Sequence, residues 1–153
     1  MVITFCGHAK FYDHEKTESK LLSLLDKLVG DKDAELFVGV YGNFDSFVFN
    51  CAKKYKHNHP RVRIMMIIPY PDASKYLSPP YVTAKDFDEI IYPGLEDKPQ
   101  RFAITYCNRW MVDCADIVIS YVTHTFGGAY KTYTYAKRKR KKIYNLHELE
   151  ILL

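Results

Sequence analysis

The feature that most constrains this chain is a regular alternation of short apolar runs with longer amphipathic stretches. The apolar runs are rich in β-branched and aromatic residues and too short for typical helices, which predicts buried strands. They are Val2–Cys6, Glu35–Val40, Val62–Ile68, Ile117–Val122 and Ile143–Leu146, with a shorter one at Asp88–Tyr92. The stretches predicted to be helical are Glu15–Val29, Asp45–Tyr55, Pro99–Cys114 and Ala129–Lys142. This order predicts a three-layer α/β fold, with a mostly parallel sheet covered by helices on both faces, as one domain over residues 1–153.

A pair of glycines separates the Ile117–Val122 run from the last predicted helix. Gly127-Gly128 allows positive φ and lets another group approach the backbone closely. The free amides and the positive dipole end of a helix that starts there favour an anion. Lys131 and the hydroxyls of Thr125 and Thr132 would add a charge and further donors. The segment therefore predicts an anion site, and the alternative is an ordinary tight turn between a strand and a helix.

Loops at the carboxyl ends of parallel strands converge on one crevice, where ligands of such sheets bind. The loops predicted to meet there are Gly7–Lys10, Tyr41–Asp45, Pro69–Tyr81 and Thr123–Thr132. His8 is either a pocket residue or an exposed histidine, and Asp45 either caps a helix or contacts a ligand. Arg109 lies off the packing face of its helix and is either an anion contact or a surface arginine. The chain has neither G-x-G-x-x-G nor G-x-x-x-x-G-K-[ST], which argues against a dehydrogenase and a P-loop NTPase.

The net charge of +4 arises from one segment. Lys131 and the cluster Lys137–Lys142 supply seven positive charges, while the rest of the chain has 15 basic and 18 acidic residues. Cations at the end of a helix complement its dipole, so a solvated helix end is one interpretation. Contact with a nucleic acid is the other, although the tyrosines of this helix lie upstream of the cluster in sequence.

The remaining composition indicates a cytoplasmic protein without a membrane segment. No apolar run approaches the roughly 20 residues needed to cross a bilayer, and the N-terminus lacks the pattern of a signal peptide. Cys6, Cys51, Cys107 and Cys114 are widely spaced and form no C-x-x-C pair, which favours reduced thiols over disulfides or a zinc site. No metal or other cofactor is predicted.

Several segments together resemble a known family. VITFCGH at the start, VYGNFD, IPY and NRWMVDCADIVISYV followed by GGAYKTYTYAKRK are similar to the YpsA-like branch of the SLOG superfamily. That superfamily also contains the LOG nucleotide phosphoribohydrolases and the DprA/Smf DNA-processing proteins. The resemblance covers nearly the whole chain. It implies a Rossmann-like fold, a pocket for a nucleotide or a nucleotide-derived ligand, and a homodimer.

The chain departs from the LOG motif P-G-G-x-G-T-x-x-E at three positions. Phe126 replaces the proline, Tyr130 the third glycine and Tyr133 the glutamate. Cleavage of a base from ribose passes through an oxocarbenium-like state that a carboxylate stabilises. The candidates for that carboxylate are Asp45, Glu89 and Glu96.

These observations lead to three hypotheses. The first is a binding module, of sensor type, in which the residues around Gly127-Gly128 hold phosphate and Arg109 is a second phosphate clamp. The residues expected to shape its ribose and base side are Gly7, His8, Gly42, Asn43, Phe44 and Asp45, with Phe44 or Tyr130 available for stacking. The second is a phosphoribohydrolase with Glu96 or Asp45 as acid or base. The third and weaker one is contact with nucleic acid through Lys137–Lys142.

Overall fold

The computed structural model describes residues 1–150, and these residues form one six-stranded sheet. Its strands are β1 (Val2–Gly7), β2 (Ala34–Val38), β3 (Val62–Ile67), β4 (Glu89–Ile91), β5 (Ile117–Tyr121) and β6 (Lys142–Asn145). The strand order is β4-β3-β2-β1-β5-β6, and every neighbouring pair is parallel. The predicted parallel α/β architecture is therefore confirmed. The last three residues of the predicted C-terminal tail, 151–153, lie outside the described part.

Helices cover both faces of this sheet. They are α1 (His14–Leu28), α2 (Asn43–Asn58), α3 (Ala103–Cys114) and α4 (Gly127–Arg138). Successive side chains of a strand point to opposite faces, and β1 illustrates the result. Phe5 packs in the cluster formed with α1 and α2, whereas Cys6 packs with Val112 of α3 and Ala136 of α4. Two helices thus lie on each side, which gives the predicted three layers.

The direction of chain travel across the sheet reverses once. From β1 the chain moves through β2 and β3 to β4 at one edge, and then returns to β5 on the other side of β1. β1 and β5 end level with each other, because Gly7 is paired with Tyr121. The connections that leave these two strands diverge, which opens a crevice beyond their carboxyl ends.

The last helix differs from its predicted bounds at both ends. The prediction was Ala129–Lys142, but α4 begins at Gly127 and ends at Arg138. Arg140 has a φ of 57°, a left-handed conformation that ends a helix, and Lys142 already belongs to β6. The basic cluster is therefore divided among a helix end, a turn and an edge strand.

Two other helix starts also differ from prediction. α2 begins at Asn43 with Gly42 as its N-cap, so neither Asp45 nor Ser46 caps it. A single 3₁₀ turn at Gln100–Phe102 precedes α3, where the sequence predicted continuous helix. Within residues 1–150, none of the helices has the length and apolar character needed to span a bilayer.

Two glycines let the first turn of α2 pack closely against the strand ends. A Cβ on Gly7 would lie 2.3 Å from the ring of Phe44, which is fully buried. A Cβ on Gly39 would lie 2.6 Å from a carboxylate oxygen of Asp45. Both positions need glycine because the backbone meets a side chain there, and this close packing fixes where the start of α2 lies.

We expect Gly7→Ala to destabilise the protein by about 1–3 kcal/mol, because the added methyl overlaps the Phe44 ring in a packed core. Urea unfolding followed by circular dichroism measures this loss. Gly128→Ala is the matched control, since a Cβ there meets nothing within 4 Å. Equal stability of the two variants would contradict this account of Gly7.

Candidate functional site

A cavity of about 410 Å³ lies where β1 and β5 end, at the point where the strand order reverses. Ligand pockets in proteins have similar volumes, on the order of 300–1,000 Å³. The cavity is lined by residues 5–10, Tyr41, Asp45, Ile104, Asn108, Met111, His124, residues 126–129 and Thr132. Three of the four predicted loops therefore meet here, together with one side of α3. The predicted loop 69–81 contributes no residue to this lining.

The first turn of α4 forms one wall of the cavity. No side chain caps this helix, and no hydrogen bond among the described residues uses the amides of Gly127, Gly128 or Ala129. Gly127 has a φ of 89°, which favours glycine, and the Cα of Gly128 faces open space. Unpaired amides at the positive end of a helix dipole attract an anion.

The hydroxyl of Thr132 is already engaged. It donates to the carbonyl oxygen of Gly128 at 3.0 Å, one turn earlier in α4, and the residue is buried. Thr132 lines the cavity but its hydroxyl proton is directed into the helix. Its predicted role as an anion donor stays a prediction, which would require the hydroxyl to turn away from Gly128.

His8 is fixed in one orientation beside the cavity. Only 8% of the residue is exposed, and its Nε2 accepts a hydrogen bond from the amide of Thr123 at 2.9 Å. A nitrogen that accepts has no proton, so neutral His8 carries its proton on Nδ1. Burial lowers the pKa of His8, and neighbouring His124 lowers it further. Nδ1 has no hydrogen-bond partner among the described residues, and His8 lines the cavity.

His124 and Phe126 extend from His8 as a stack of three rings. The rings of His8 and His124 lie 3.8 Å apart, as do those of His124 and Phe126. The Nδ1 atom of His124 is buried without a partner among residues 1–150. Sequence reasoning missed both His124 and Phe126 as contact residues, although both lie in the loop that it singled out.

Asp45 forms the wall opposite α4. Burial raises the pKa of its carboxyl group to about 7, even though the amide of Tyr41 donates to Oδ2 at 2.8 Å and lowers it. Burial also raises the pKa of the Cys6 thiol to about 12, with Asp45 as a second cause, so this lining cysteine stays protonated. Asp45 is therefore the acidic group of the cavity that titrates near neutral pH.

Several residues predicted to contact a ligand lie elsewhere. Phe44 is fully buried in the core, so it cannot stack on a ligand as predicted. Gly42 and Asn43 hold the start of α2, where the Asn43 amide donates to the carbonyl of Ala9 at 2.8 Å. These three residues position Asp45 without lining the cavity themselves.

The predicted helix residues are also displaced from the cavity. Arg109 lies over the rings of Tyr106 and Tyr135, and α3 presents Asn108 to the cavity in its place. The remaining three predicted residues that do not line the cavity are Thr125, Tyr130 and Lys131. The cation that does line it is Lys10.

The other two candidate acids are remote from the cavity. Glu96 lines a separate cavity of about 310 Å³ with Tyr70 and Tyr92. Glu89 lies on the edge strand β4 and forms an ion pair with Arg63 at 3.7 Å. Of the three carboxylates, Asp45 alone lines the 410 Å³ cavity in the described part of the chain.

A second surface combines cations with tyrosines toward the C-terminal end of α4. Lys137 lies 4.5 Å from the centre of the Tyr133 ring, and Arg138 lies 5.6 Å from that of Tyr135. Although these tyrosines precede the basic cluster in sequence, they are interleaved with it in space. Lys141 is engaged structurally, because its Nζ donates to the carbonyl of Ala115 at 2.8 Å.

Comparison of the sequence with models of known protein families finds no match, and comparison with curated proteins finds none either. The structure is similar to that of DNA processing protein A from Helicobacter pylori, a protein described for its mode of binding single-stranded DNA. The TM-score is 0.61 and the identity 14%, over 94% of this chain and 63% of that chain. This chain thus spans less than two thirds of the protein it resembles. The likeness shows a shared Rossmann-like α/β fold.

Proposed function

We propose that this chain binds a nucleotide or a nucleotide-derived small molecule, with a phosphate held by the amides of Gly127, Gly128 and Ala129. The observation that carries the proposal is that these three amides have no partner among the described residues and border the cavity at the reversal of strand order. Such amides bind phosphate through both their hydrogen bonds and the helix dipole. Lys10 supplies a positive charge to the same cavity.

The other walls suit the rest of a nucleotide. The lining is largely apolar, with Ile104 and Met111 on the side of α3 and Phe126 at the end of the β5 loop. The donor on His8 Nδ1 and the side chain of Asn108 add polar contacts that can orient a sugar or base. A pocket of this composition favours a molecule that is anionic at one end and apolar or aromatic at the other.

A phosphoribohydrolase is a second candidate for the same cavity, and Asp45 is the observation that favours it. A carboxyl group with a pKa of about 7 is suited to general acid or base catalysis at neutral pH. Cleavage of the N-glycosidic bond would break the bond between the anomeric carbon and the base, with water adding to the carbon and a proton going to the base. Asp45 would provide that proton or accept one from the water.

Contact with single-stranded nucleic acid is a third candidate. The protein of similar fold binds single-stranded DNA, and the basic surface here places cations over tyrosine rings. Cations and aromatic rings on one surface match the two ways such strands are held, through phosphates and through bases. Lys137 and Arg138 are exposed and available for phosphate contacts.

We expect Gly128→Asp to reduce the affinity for AMP more than tenfold while the protein folds normally. The new carboxylate repels a phosphate at the amides, yet an acid in the first turn of a helix is itself favourable by about 0.3–1 kcal/mol. Isothermal titration calorimetry measures the first effect and urea unfolding the second. Gly128→Asn is the neutral control of equal size and should retain more affinity. Unchanged AMP binding in Gly128→Asp would refute the phosphate site.

We expect the carboxyl group of Asp45 to titrate near pH 7, measured by carbon-detected NMR. A folded-state pKa above the unfolded value means that Asp45 stabilises the fold most at low pH, and that this contribution is lost as pH rises through about 7. Asp45→Asn, which can still accept from Tyr41, should flatten that decline in stability. Release of free base from AMP, GMP or CMP that disappears in Asp45→Asn would favour the hydrolase over the binding module.

If the basic surface binds nucleic acid, a labelled oligothymidylate should bind with a steep dependence on salt. Replacing Lys137 and Arg138 together by Gln should then reduce the slope of log K against log salt concentration by about 1.4. Lys32 and Lys85, exposed elsewhere, form a charge-matched control pair. Equal binding by both double variants, measured by fluorescence anisotropy, would exclude this surface.

A further inference from the structure

Phe126 is an exposed aromatic residue whose presence is not explained by the needs of the fold. The residue is 69% exposed, lines the cavity and directly precedes the Gly127 amide. It is also the N-cap of α4, a position where Ser, Thr, Asp or Asn stabilises a helix and an aromatic residue does not. Its φ of −149° is ordinary extended backbone open to any residue. Neither core packing nor capping therefore explains an aromatic residue here.

One face of the Phe126 ring is held in place. It stacks on His124 at 3.8 Å with an angle of 18° between the ring planes. His124 stacks in turn on His8 at 3.8 Å and 14°, and the Thr123 amide fixes His8 through Nε2. The stack connects the exposed ring to the end of β1, which makes Phe126 a pre-oriented aromatic surface whose outer face is free.

The polar groups along this stack also point to a ligand. The Nδ1 atom of His124, the middle ring of the stack, is buried and has no hydrogen-bond partner among the described residues. Buried polar groups are normally paired, since an unpaired one carries a desolvation penalty. His124 lines the cavity, so a heteroaromatic or hydroxyl-bearing molecule there can supply a hydrogen-bond partner for this nitrogen.

We propose that Phe126 is the base-recognition residue of this cavity, on whose outer face the planar base of a nucleotide stacks. This inference rests on the proposed nucleotide-binding function and makes it more specific. The amides that would hold the phosphate follow Phe126 directly, so the base and phosphate of one mononucleotide contact adjacent residues of one loop. The ligand class is thus base-bearing nucleotides, selected over sugar phosphates that lack the base.

The test compares AMP with ribose 5-phosphate, which differ by the base, in binding to the full chain by calorimetry. Wild-type protein should bind AMP more tightly than ribose 5-phosphate. Phe126→Leu, which stays apolar but is no longer planar, should lose roughly 5- to 100-fold in AMP affinity, the range expected for one stacked base. Its affinity for ribose 5-phosphate should be unchanged. Phe126→Trp, the matched aromatic variant, should keep AMP binding.

Fluorescence supplies a second measurement, which reports contact between the base and the ring at position 126. The chain has one tryptophan, Trp110, which packs on Phe37 at 5.8 Å between ring centres and does not line the cavity. The additional emission of Phe126→Trp should be quenched by AMP and not by ribose 5-phosphate, because only a stacked base lies against the indole.

The outcomes separate this inference from the proposed function. If wild-type protein binds AMP and Phe126→Leu binds it equally well, the stacking role is wrong while the phosphate site stands. An equal loss of AMP and ribose 5-phosphate affinity in Phe126→Leu would also overturn stacking, since it would indicate a general effect on the loop. If neither molecule binds wild-type protein at millimolar concentration, both the function and the inference fail.

Discussion

The reversal of strand order between β1 and β5 is the constraint on which the site depends. All strands are parallel, so every connection leaves from the same edge of the sheet. The connections from β1 and β5 run toward opposite faces, because α1 packs on one side and α4 on the other. The space between their starting points cannot be filled by either connection. The strand order therefore creates the cavity, and the lining residues determine which ligand it can bind.

The first turn of α2 shows how the remaining space is limited. Gly7 and Gly39 permit Phe44 and Asp45 to sit directly over the ends of β1 and β2. Phe44 closes the core beneath the cavity, and Asp45 places a carboxyl group in its wall. The same close packing partly buries Asp45 and so raises the pKa of its carboxyl group. Stability and the chemical character of the site therefore come from one set of contacts.

Most of the fold could be predicted from sequence, because period-two and period-3.6 patterns depend on local burial, and parallel α/β topology follows from their order. The loop at Gly127-Gly128 could also be predicted, because glycine has a direct effect on the backbone conformation. The side chains of the site were harder to predict. Asn108 and Arg109 are adjacent in sequence, so a small error in the predicted rotation of α3 about its axis places the wrong one of the two at the cavity. Whether Phe44 is core or ligand contact depends on Gly7, which is distant in sequence. His124 had no signal beyond its position in the loop.

Two helices begin beside this cavity, and they differ in a way that sequence composition does not show. Both have a glycine with positive φ at their start, Gly42 as the N-cap of α2 and Gly127 as the first residue of α4, and both direct a positive dipole end toward the crevice. At α2 the first amide is used, since Asn43 donates to the carbonyl of Ala9, and the acidic residue Asp45 lies in the first turn. At α4 the first three amides have no partner within residues 1–150. Because amide donors need partners, those of α4 must be satisfied from outside residues 1–150, with solvent or a bound anion as the natural partners. The fold thus favours an anion at α4 over α2, because the start of α2 has a bonded first amide and an acidic side chain, whereas the first turn of α4 has neither.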